Sequence, residues 1–311
     1  MKLIIQPGEG VAPVVQAIQR AKKTVDIVIF RFDRAEIERA LGEAVHRGVA
    51  VRALIAHTNK GGEKNLRKLE LRLLDVGATV ARTADDLARY HGKMMIVDGT
   101  LYVLGFNYTQ LDLDSRSFGV VSREPRLVKE ASSLFEADST RQSYTPSHDN
   151  LVVSPESSRE LLSMFIKSAK KQLLIYDAKV SDRLMLRLLQ ARAKAGVEIR
   201  VFGKLMKDIP GADARKLPDL RLHVRAMIRD GSSAFVGSQS LRKLELDGRR
   251  ELGVIITNAQ VAKKMQAVFE ADWAQTQPKG ADKDASDKDK DKDKEKEKDK
   301  EREKVTAAGG G

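Results

Sequence analysis

The residues that decide the fold are 91–99, His-Gly-Lys-Met-Met-Ile-Val-Asp-Gly. Successive side chains of a strand point to opposite faces, so His91 and Lys93 are expected to project on the same side. Asp98-Gly99 is typical of a hairpin turn, and the apolar run at 101–104 would be the returning strand. A nucleophile or base beside a fixed cation suits chemistry on a phosphate.

The same arrangement returns in the second half of the chain, as His223-Val224-Arg225 followed by Asp230-Gly231. In both copies the histidine precedes the aspartate by seven residues, and the aspartate precedes a glycine, Gly105 or Gly237, by seven more. A single His-x-Lys is almost uninformative. Two copies with matched spacing, each in a strand–turn–strand context, indicate an internal repeat.

Strands and helices alternate in the sequence around the two copies. Residues 11–21 and 35–47 carry apolar side chains at helical spacing, whereas 25–30 and 49–55 are β-branched runs typical of buried strands. This order predicts a mainly parallel sheet with helices packed on it.

The offset between the two halves is not constant. Residues 195–201 match 47–53, and residues 223–237 match 91–105. The number of residues between a segment and its match is smaller for the second pair than for the first. We therefore expect the second half to lack a counterpart of the loop and helix near 59–76.

The chain resembles the phospholipase D superfamily, in particular its cardiolipin synthase-like members, over roughly residues 1–275. The signature of that superfamily is H-x-K-x4-D-x6-G-S-x-N, normally present twice per active site. The positions that match it are His91, Lys93, Asp98 and Gly105 in the first copy, and His223, Asp230, Gly237 and Ser238 in the second, with Arg225 in place of lysine. The resemblance implies an α/β fold of two repeats packed as a pseudo-twofold pair, with mixed, largely parallel sheets flanked by helices.

The domain organisation predicted from the sequence is a first repeat at 1–146, a second repeat at 147–277 and a charged tail at 278–311. The tail has eleven basic and eleven acidic residues and no apolar face, so we expect it to be disordered. The net charge of +12 therefore belongs to residues 1–277. A basic folded region attracts phosphate-bearing partners, either nucleic acid or an anionic lipid surface.

Composition excludes some chemistry and some locations. The chain has no cysteine, which rules out disulfides, cysteine nucleophiles and cysteine metal sites. No apolar run approaches the roughly 18 residues of a membrane span, and the first residues do not read as a signal peptide. We expect a soluble, cytoplasmic protein without a metal or cofactor. A dimer is not required, because one chain carries both motifs.

The resemblance implies a metal-independent phosphodiesterase, a hydrolase or phosphatidyltransferase of lipid metabolism that works through a phosphohistidine. One histidine attacks phosphorus, and the other protonates the leaving oxygen and then activates water or an alcohol. His91 is the expected nucleophile because its copy keeps the lysine. His223 is the expected acid/base, oriented by Glu251, which follows it at the spacing that many relatives use for an orienting carboxylate. Lys93 and Arg225 would neutralise the non-bridging oxygens.

The remaining candidate residues also come from the motif. Asp98 and Asp230 are catalytic candidates, although their Asp-Gly positions explain them equally well as turn residues. The candidates for substrate binding are Lys93, Asn107, Arg225 and Ser238.

Three positions depart from the family pattern. Phe106 stands where serine is expected, Ser240 where asparagine is expected, and Ser117 at the place that corresponds to Glu251. His91 would then lack an orienting carboxylate unless a nearby aspartate, Asp112 or Asp114, replaces it.

Two alternatives to a lipid enzyme stay open. A nuclease of the same superfamily would use the same residues on a nucleic acid phosphodiester. A catalytically degenerate module would only bind phosphate. The expected partner is accordingly a phospholipid at a membrane surface or a nucleic acid.

Overall fold

The computed structural model describes residues 1–58 and 63–276. Met1–Trp273 forms one compact unit; Ala274–Gly311 forms a second unit, and most of it lies outside the described residues. The predicted disordered tail at 278–311 and residues 59–62 of the predicted loop therefore fall outside the described part of the chain. No helix within the described residues is long and apolar enough to cross a bilayer.

The first half of the chain forms one seven-stranded sheet. Its strands are β1 (Lys2–Gln6), β2 (Thr24–Ile29), β3 (Ala50–Ile55), β4 (Thr79–Arg82), β5 (Met94–Val97), β6 (Thr100–Leu104) and β7 (Ser117–Ser122). They lie in the order β1-β7-β6-β5-β2-β3-β4.

The second half forms another seven-stranded sheet. Its strands are β8 (Leu151–Val153), β9 (Gln172–Val180), β10 (Glu198–Leu205), β11 (Ala212–Arg215), β12 (Arg225–Arg229), β13 (Ser233–Gly237) and β14 (Leu252–Ile256). Their order, β8-β14-β13-β12-β9-β10-β11, reproduces that of the first sheet strand for strand. The predicted fold of two equivalent α/β repeats is confirmed.

Helices connect the strands in both halves. They are α1 (Ala12–Arg20), α2 (Ala35–His46), α3 (Glu63–Asp75), α4 (Gln110–Leu113), α5 (Pro125–Thr140), α6 (Ser158–Lys167), α7 (Arg183–Lys194), α8 (Lys243–Asp247) and α9 (Ala259–Ala274). The helix α3 joins β3 to β4, whereas β10 reaches β11 without a helix. The predicted loss from the second repeat is thereby confirmed.

The expectation of largely parallel sheets is wrong. Only β2–β3 and β3–β4 pair in parallel in the first sheet, and only β9–β10 and β10–β11 in the second. The other four neighbouring pairs of each sheet are antiparallel. Crossover helices produce three of the four parallel pairs, whereas β10 and β11 pair in parallel without a helix between them. The motif hairpins with their flanking strands produce the antiparallel pairs.

Three apolar clusters hold the unit together. The central cluster draws buried side chains from both sheets, among them Phe118 of β7 and Tyr176 of β9, whose rings lie 5.7 Å apart. Two outer clusters pack the remaining face of each sheet against its own helices. Phe106, which replaces the motif serine, is buried in the outer cluster of the first repeat. This substitution is therefore used for packing.

The motif aspartates hold turns. Asp98 and Asp230 have φ values of 46° and 53°, and each is followed by a glycine of positive φ, as the hairpin prediction requires. The Asp98 carboxylate accepts the backbone N–H groups of residues 22–24 at 2.7–2.9 Å, and Asp230 does the same for 170–172. Seven residues of extended chain, roughly 20 Å, separate each from its histidine. The catalytic expectation for both aspartates is corrected to a structural one.

We expect alanine at Asp98 or Asp230 to lower the free energy of unfolding by about 1–3 kcal/mol, because three backbone donors lose a charged acceptor. Urea denaturation measures the change. Asp208→Ala, at an exposed position, is the control and should leave the free energy of unfolding unaltered. A loss of turnover in the folded Asp98 or Asp230 variants would restore the catalytic interpretation.

Candidate active site

Each motif histidine is held by backbone of the other repeat. The N–H of His91 donates to the carbonyl of Arg250 at 2.7 Å, and the N–H of His223 donates to the carbonyl of Arg116 at 3.4 Å. Arg250 precedes β14 and Arg116 precedes β7, which are equivalent positions in the two repeats. These two hydrogen bonds between the repeats place both motifs along one interface.

Gly105 of the first motif is needed for close backbone packing within its own sheet and also faces the other motif. A Cβ added to Gly105 would lie 2.8 Å from the carbonyl oxygen of Phe118 and 3.6 Å from that of Gly237, the glycine of the other motif. The first of these contacts is shorter than real Cβ atoms show, so a side chain at Gly105 would force the backbone apart. Glycine is therefore required by close contact.

Buried ion pairs fix the same two arginines. Arg116 donates to both carboxylate oxygens of Asp272 at 2.8 Å, and Arg250 donates to Asp138 at 3.1 Å. Asp272 lies on the last helix of the second repeat, Asp138 on the last helix of the first. Each pair thus crosses between repeats and anchors the backbone carbonyl that holds a histidine.

Glu251 orients His91, so its expected pairing with His223 is wrong. Its Oε2 lies 2.8 Å from His91 Nδ1, because the backbone before β14 crosses to the opposite motif. Glu251 is fully buried. Burial would raise its pKa, but His91 and Lys93 outweigh burial and hold the pKa below its ordinary value. Glu251 is therefore an ionised acceptor for the Nδ1–H of His91.

Lys93 lies against the His91 imidazole, with Nζ 2.9 Å from Nε2 and 3.0 Å from Nδ1. Burial, which Glu251 offsets only in part, lowers the pKa of His91 to about 4. Burial likewise lowers the pKa of Lys93 to about 7. At neutral pH, His91 is then uncharged, as a nucleophile must be, and Lys93 is close to its titration point.

The carboxylate beside His223 is Asp112, from α4. Asp112 Oδ2 lies 3.5 Å from His223 Nε2, and the other oxygen accepts Arg221 Nη1 at 2.7 Å. Burial lowers the pKa of His223 to about 3 despite Asp112. The expectation that Asp112 substitutes beside His91 is corrected. Asp112 lies beside His223 of the other repeat, just as Glu251 lies beside His91 of the other repeat. Asp114 instead accepts a hydrogen bond from Gln110.

Ser117 occupies the position that mirrors Glu251. Its Oγ and the Nδ1 of His223 are both buried, and neither has a hydrogen-bond partner within the described residues. One of the two orienting positions has therefore lost its carboxylate. Asp112 supplies a carboxylate at the other nitrogen of His223.

Arg225 of the second motif acts on the histidines of both motifs. Its Nη1 donates to the carbonyl of His223. Together with Lys93, it disfavours the protonated form of both motif histidines. The structure therefore brings His91, Lys93, His223 and Arg225 to one site.

Asp177 of β9 was missed by sequence reasoning. It is buried, and burial raises its pKa although Arg225 opposes the rise. Ser240, where asparagine was expected, donates to Asp177, which also accepts Leu241 N–H at 2.6 Å. The signal was a carboxylate that interrupts an apolar strand directly after Tyr176.

The substrate-binding candidates Asn107 and Ser238 are buried and brace the site. Asn107 donates its backbone N–H to Asp112 at 2.8 Å, while its Oδ1 has no partner among residues 1–58 and 63–276. Ser238 Oγ accepts the N–H of Leu252 at 3.0 Å, beside Glu251. Their contact with substrate stays a prediction. In the described part of the chain, no group of acidic residues and histidines is arranged to hold a metal ion.

Comparison with known proteins agrees with the fold. The polyphosphate kinase from Porphyromonas gingivalis superposes with a TM-score of 0.73 at 17% identity, over 88% of this chain and 50% of that one. The chain thus spans half the length of that kinase. The phosphatidylserine synthase from Haemophilus influenzae Rd KW20 superposes with a TM-score of 0.64 at 10% identity, over 88% of this chain and 86% of that one. At these identities the likeness shows the fold.

No curated protein matches the sequence. The family model described as cardiolipin synthase, phospholipase D-like domain matches residues 14–139 and 206–273, together more than half of the chain. The chain belongs to this phospholipase D-like family.

Proposed function

We propose that the protein is a phosphodiesterase or phosphatidyltransferase that works through a phosphohistidine on His91. The observation that carries the proposal is the pairing of each motif histidine with a carboxylate, His91 with Glu251 and His223 with Asp112. The departures at Phe106, Ser117 and Ser240 motivated the alternative of a degenerate binding module. The pairing favours a working site, because neither histidine is without a carboxylate.

The first step transfers the phosphoryl group to His91. Nε2 attacks phosphorus, the P–N bond forms and the P–O bond to the leaving group breaks. Glu251 stabilises the positive charge that develops on the imidazole, as the orienting acid does in other nucleophile–carboxylate sites. Lys93 and Arg225 balance the charge on the non-bridging oxygens.

His223 acts as the general acid and then as the general base. It gives a proton to the leaving oxygen, then accepts one from water or an alcohol, whose oxygen attacks phosphorus while the P–N bond breaks. In the unliganded site, burial keeps His223 neutral. A bound phosphate anion beside Asp112 favours the protonated imidazole, so substrate binding itself prepares the acid.

Two exposed leucines favour a lipid over a nucleic acid. Leu111 on α4 is 56% exposed, and Leu244 at the equivalent place on α8 is 48% exposed. Both helices follow the signature motifs, and α4 also carries Asp112. Apolar side chains beside a basic site suit docking on an anionic membrane surface.

The test compares substrates in the presence of a chelator. Purified protein is incubated with bis(p-nitrophenyl) phosphate, with phosphatidylglycerol vesicles and with single-stranded DNA. We expect p-nitrophenol and release or exchange of the lipid headgroup. Cleavage of DNA without action on lipid would assign a nuclease, and binding of phosphate with no product from any substrate would assign a binding module.

The pKa of Lys93 predicts a decline in activity at alkaline pH. Lys93 is cationic below about pH 7 and neutral above it, so transition-state stabilisation is lost as pH rises. We expect kcat/KM on bis(p-nitrophenyl) phosphate to fall about tenfold per unit well above pH 7. Lys93→Arg keeps the charge and should remove this decline. An unchanged alkaline limb in Lys93→Arg would assign it to another group.

A further inference from the structure

A group of arginines lies on the His91 side of the site and is not used by the chemistry above. Its members, called here the arginine cluster, are Arg31, Arg89 and Arg249. Arg31 is exposed, whereas Arg89 and Arg249 are half-buried. Arg31 follows β2 and Arg89 precedes the first motif, while Arg249 comes from the second repeat.

Phe30 connects the cluster to the nucleophile. The Phe30 ring centroid lies 4.5 Å from that of His91, and the guanidinium carbons of Arg89 and Arg31 lie 5.4 and 5.7 Å from the same centroid. Lys93 Nζ is 5.6 Å from the same ring. The nucleophile, its lysine and two guanidiniums therefore surround one phenyl ring, which makes the cluster a direct neighbour of the phosphate position.

The positive charge of the cluster is poorly compensated. In the described part of the chain, neither Arg31 nor Arg89 forms an ion pair. Burial lowers the pKa of Arg89, and the neighbouring Arg249 and Arg31 lower it further. Arg249 is the exception, with Nη1 2.9 Å from Glu245 and 3.8 Å from Glu251. Glu251 and Glu245 offset the lowering of the Arg89 pKa only in part. Like charges that are held together favour an anion that binds between them.

The other half of the site differs. Arg221 stands two residues before His223, as Arg89 stands two before His91. Arg221 is neutralised by Asp112 at 2.7 Å and also donates to Ser115 Oγ at 3.1 Å. The repeats are thus alike in fold but unlike in charge: among residues 1–58 and 63–276, Arg89 and Arg31 form no ion pair, whereas Arg221 is paired with Asp112.

From this asymmetry we propose that the arginine cluster binds a second phosphate of the substrate, joined to the scissile phosphate and lying on the His91 side. This inference rests on the proposed function and names its substrate class as a compound with two adjacent phosphates. Such a group occurs on a phospholipid headgroup or in a soluble oligophosphate. Arginine suits it because a guanidinium binds two phosphate oxygens at once.

The test measures binding without turnover. Isothermal titration gives the dissociation constants of orthophosphate and pyrophosphate for the full chain and for Arg31→Gln, Arg89→Gln and the double variant. Arg187→Ala, at an exposed position on α7, removes the same charge elsewhere. We expect wild type and Arg187→Ala to prefer pyrophosphate by about tenfold or more, and the double variant to lose most of that preference.

A second titration distinguishes the sources. Phosphatidylcholine vesicles with and without diacylglycerol pyrophosphate are compared with soluble pyrophosphate; tighter binding to the vesicles assigns the lipid headgroup, and equal or weaker binding assigns a soluble oligophosphate. Circular dichroism checks the folding of each variant. If Arg89→Gln does not fold, the exposed Arg31→Gln carries the test alone. A pyrophosphate preference that survives in every folded cluster variant, or falls equally in Arg187→Ala, would overturn the subsite. Absence of turnover would count against the proposed function and would not affect this result.

Discussion

His91→Ala should abolish phosphodiester turnover, with a loss of at least about 10³-fold in kcat, because it removes the imidazole proposed to form the P–N bond. His223→Ala should behave differently on bis(p-nitrophenyl) phosphate. Its leaving group, p-nitrophenolate, departs without protonation, so His91 can still be modified. Hydrolysis of the adduct needs the base that is missing, and the adduct should accumulate.

Mass spectrometry of the His223→Ala protein should find the phosphoryl adduct on His91, and a stopped-flow trace should show a burst followed by little further release. His46→Ala is the matched control, since His46 is an exposed histidine at the end of α2. It should keep wild-type kinetics. An adduct on His223 in the His91→Ala protein would exchange the two roles, and full activity of His91→Ala would remove the mechanism.

The hairpins and the repeat could be predicted from the sequence because they depend on local spacing. Asp98-Gly99 and Asp230-Gly231 form the turns that their residue types require. The missing helix of the second repeat was visible as a change in offset. Strand direction was harder to predict, because a βαβ pattern shows its parallel pairs and says nothing of how many antiparallel strands will join them.

Glu251 could be found by its spacing and Asp112 as a nearby carboxylate, but the histidine that each one contacts could not be predicted. Glu251 follows His223 within the same repeat, so its spacing in the sequence predicts that it pairs with His223. The pairing with His91 exists only after the two repeats cross, which brings Oε2 of Glu251 to 2.8 Å from Nδ1 of His91. The same packing of the two repeats against each other brings Asp112 of the first repeat beside His223 of the second. Pairing across an interface is a tertiary property, and one sequence without its fold does not contain a signal for it.

Because each motif histidine contacts the other repeat, its position should depend on the ion pairs between the repeats. Arg116 and Arg250 hold the two histidines through their carbonyls, and each relies on an aspartate from the other repeat. Their surroundings differ. Arg250 donates to Glu156 and to the carbonyl of Ser154 in addition to Asp138.

Arg116 depends more heavily on one carboxylate. Apart from Asp272, the described residues offer its guanidinium only the carbonyl of Gln6, at 2.8 Å. The hydroxyl of Tyr176 also donates to Asp272, at 2.6 Å. Loss of the Asp272 charge would therefore leave a guanidinium that is only 12% exposed without a counter-ion.

Asp272→Asn is accordingly expected to cost about 3–5 kcal/mol of the free energy of unfolding, the usual result of removing one partner from a buried ion pair. Asp138→Asn is the matched control and should cost clearly less, because Glu156 still neutralises Arg250. Urea denaturation measures both.

The two variants should also differ in their kinetics. Since the Arg116 carbonyl holds His223, Asp272→Asn should slow hydrolysis of the His91 adduct more than its formation, and Asp138→Asn should not. Equal destabilisation by the two variants, or adduct kinetics that Asp272→Asn leaves unaltered, would show that the ion pairs do not position the histidines.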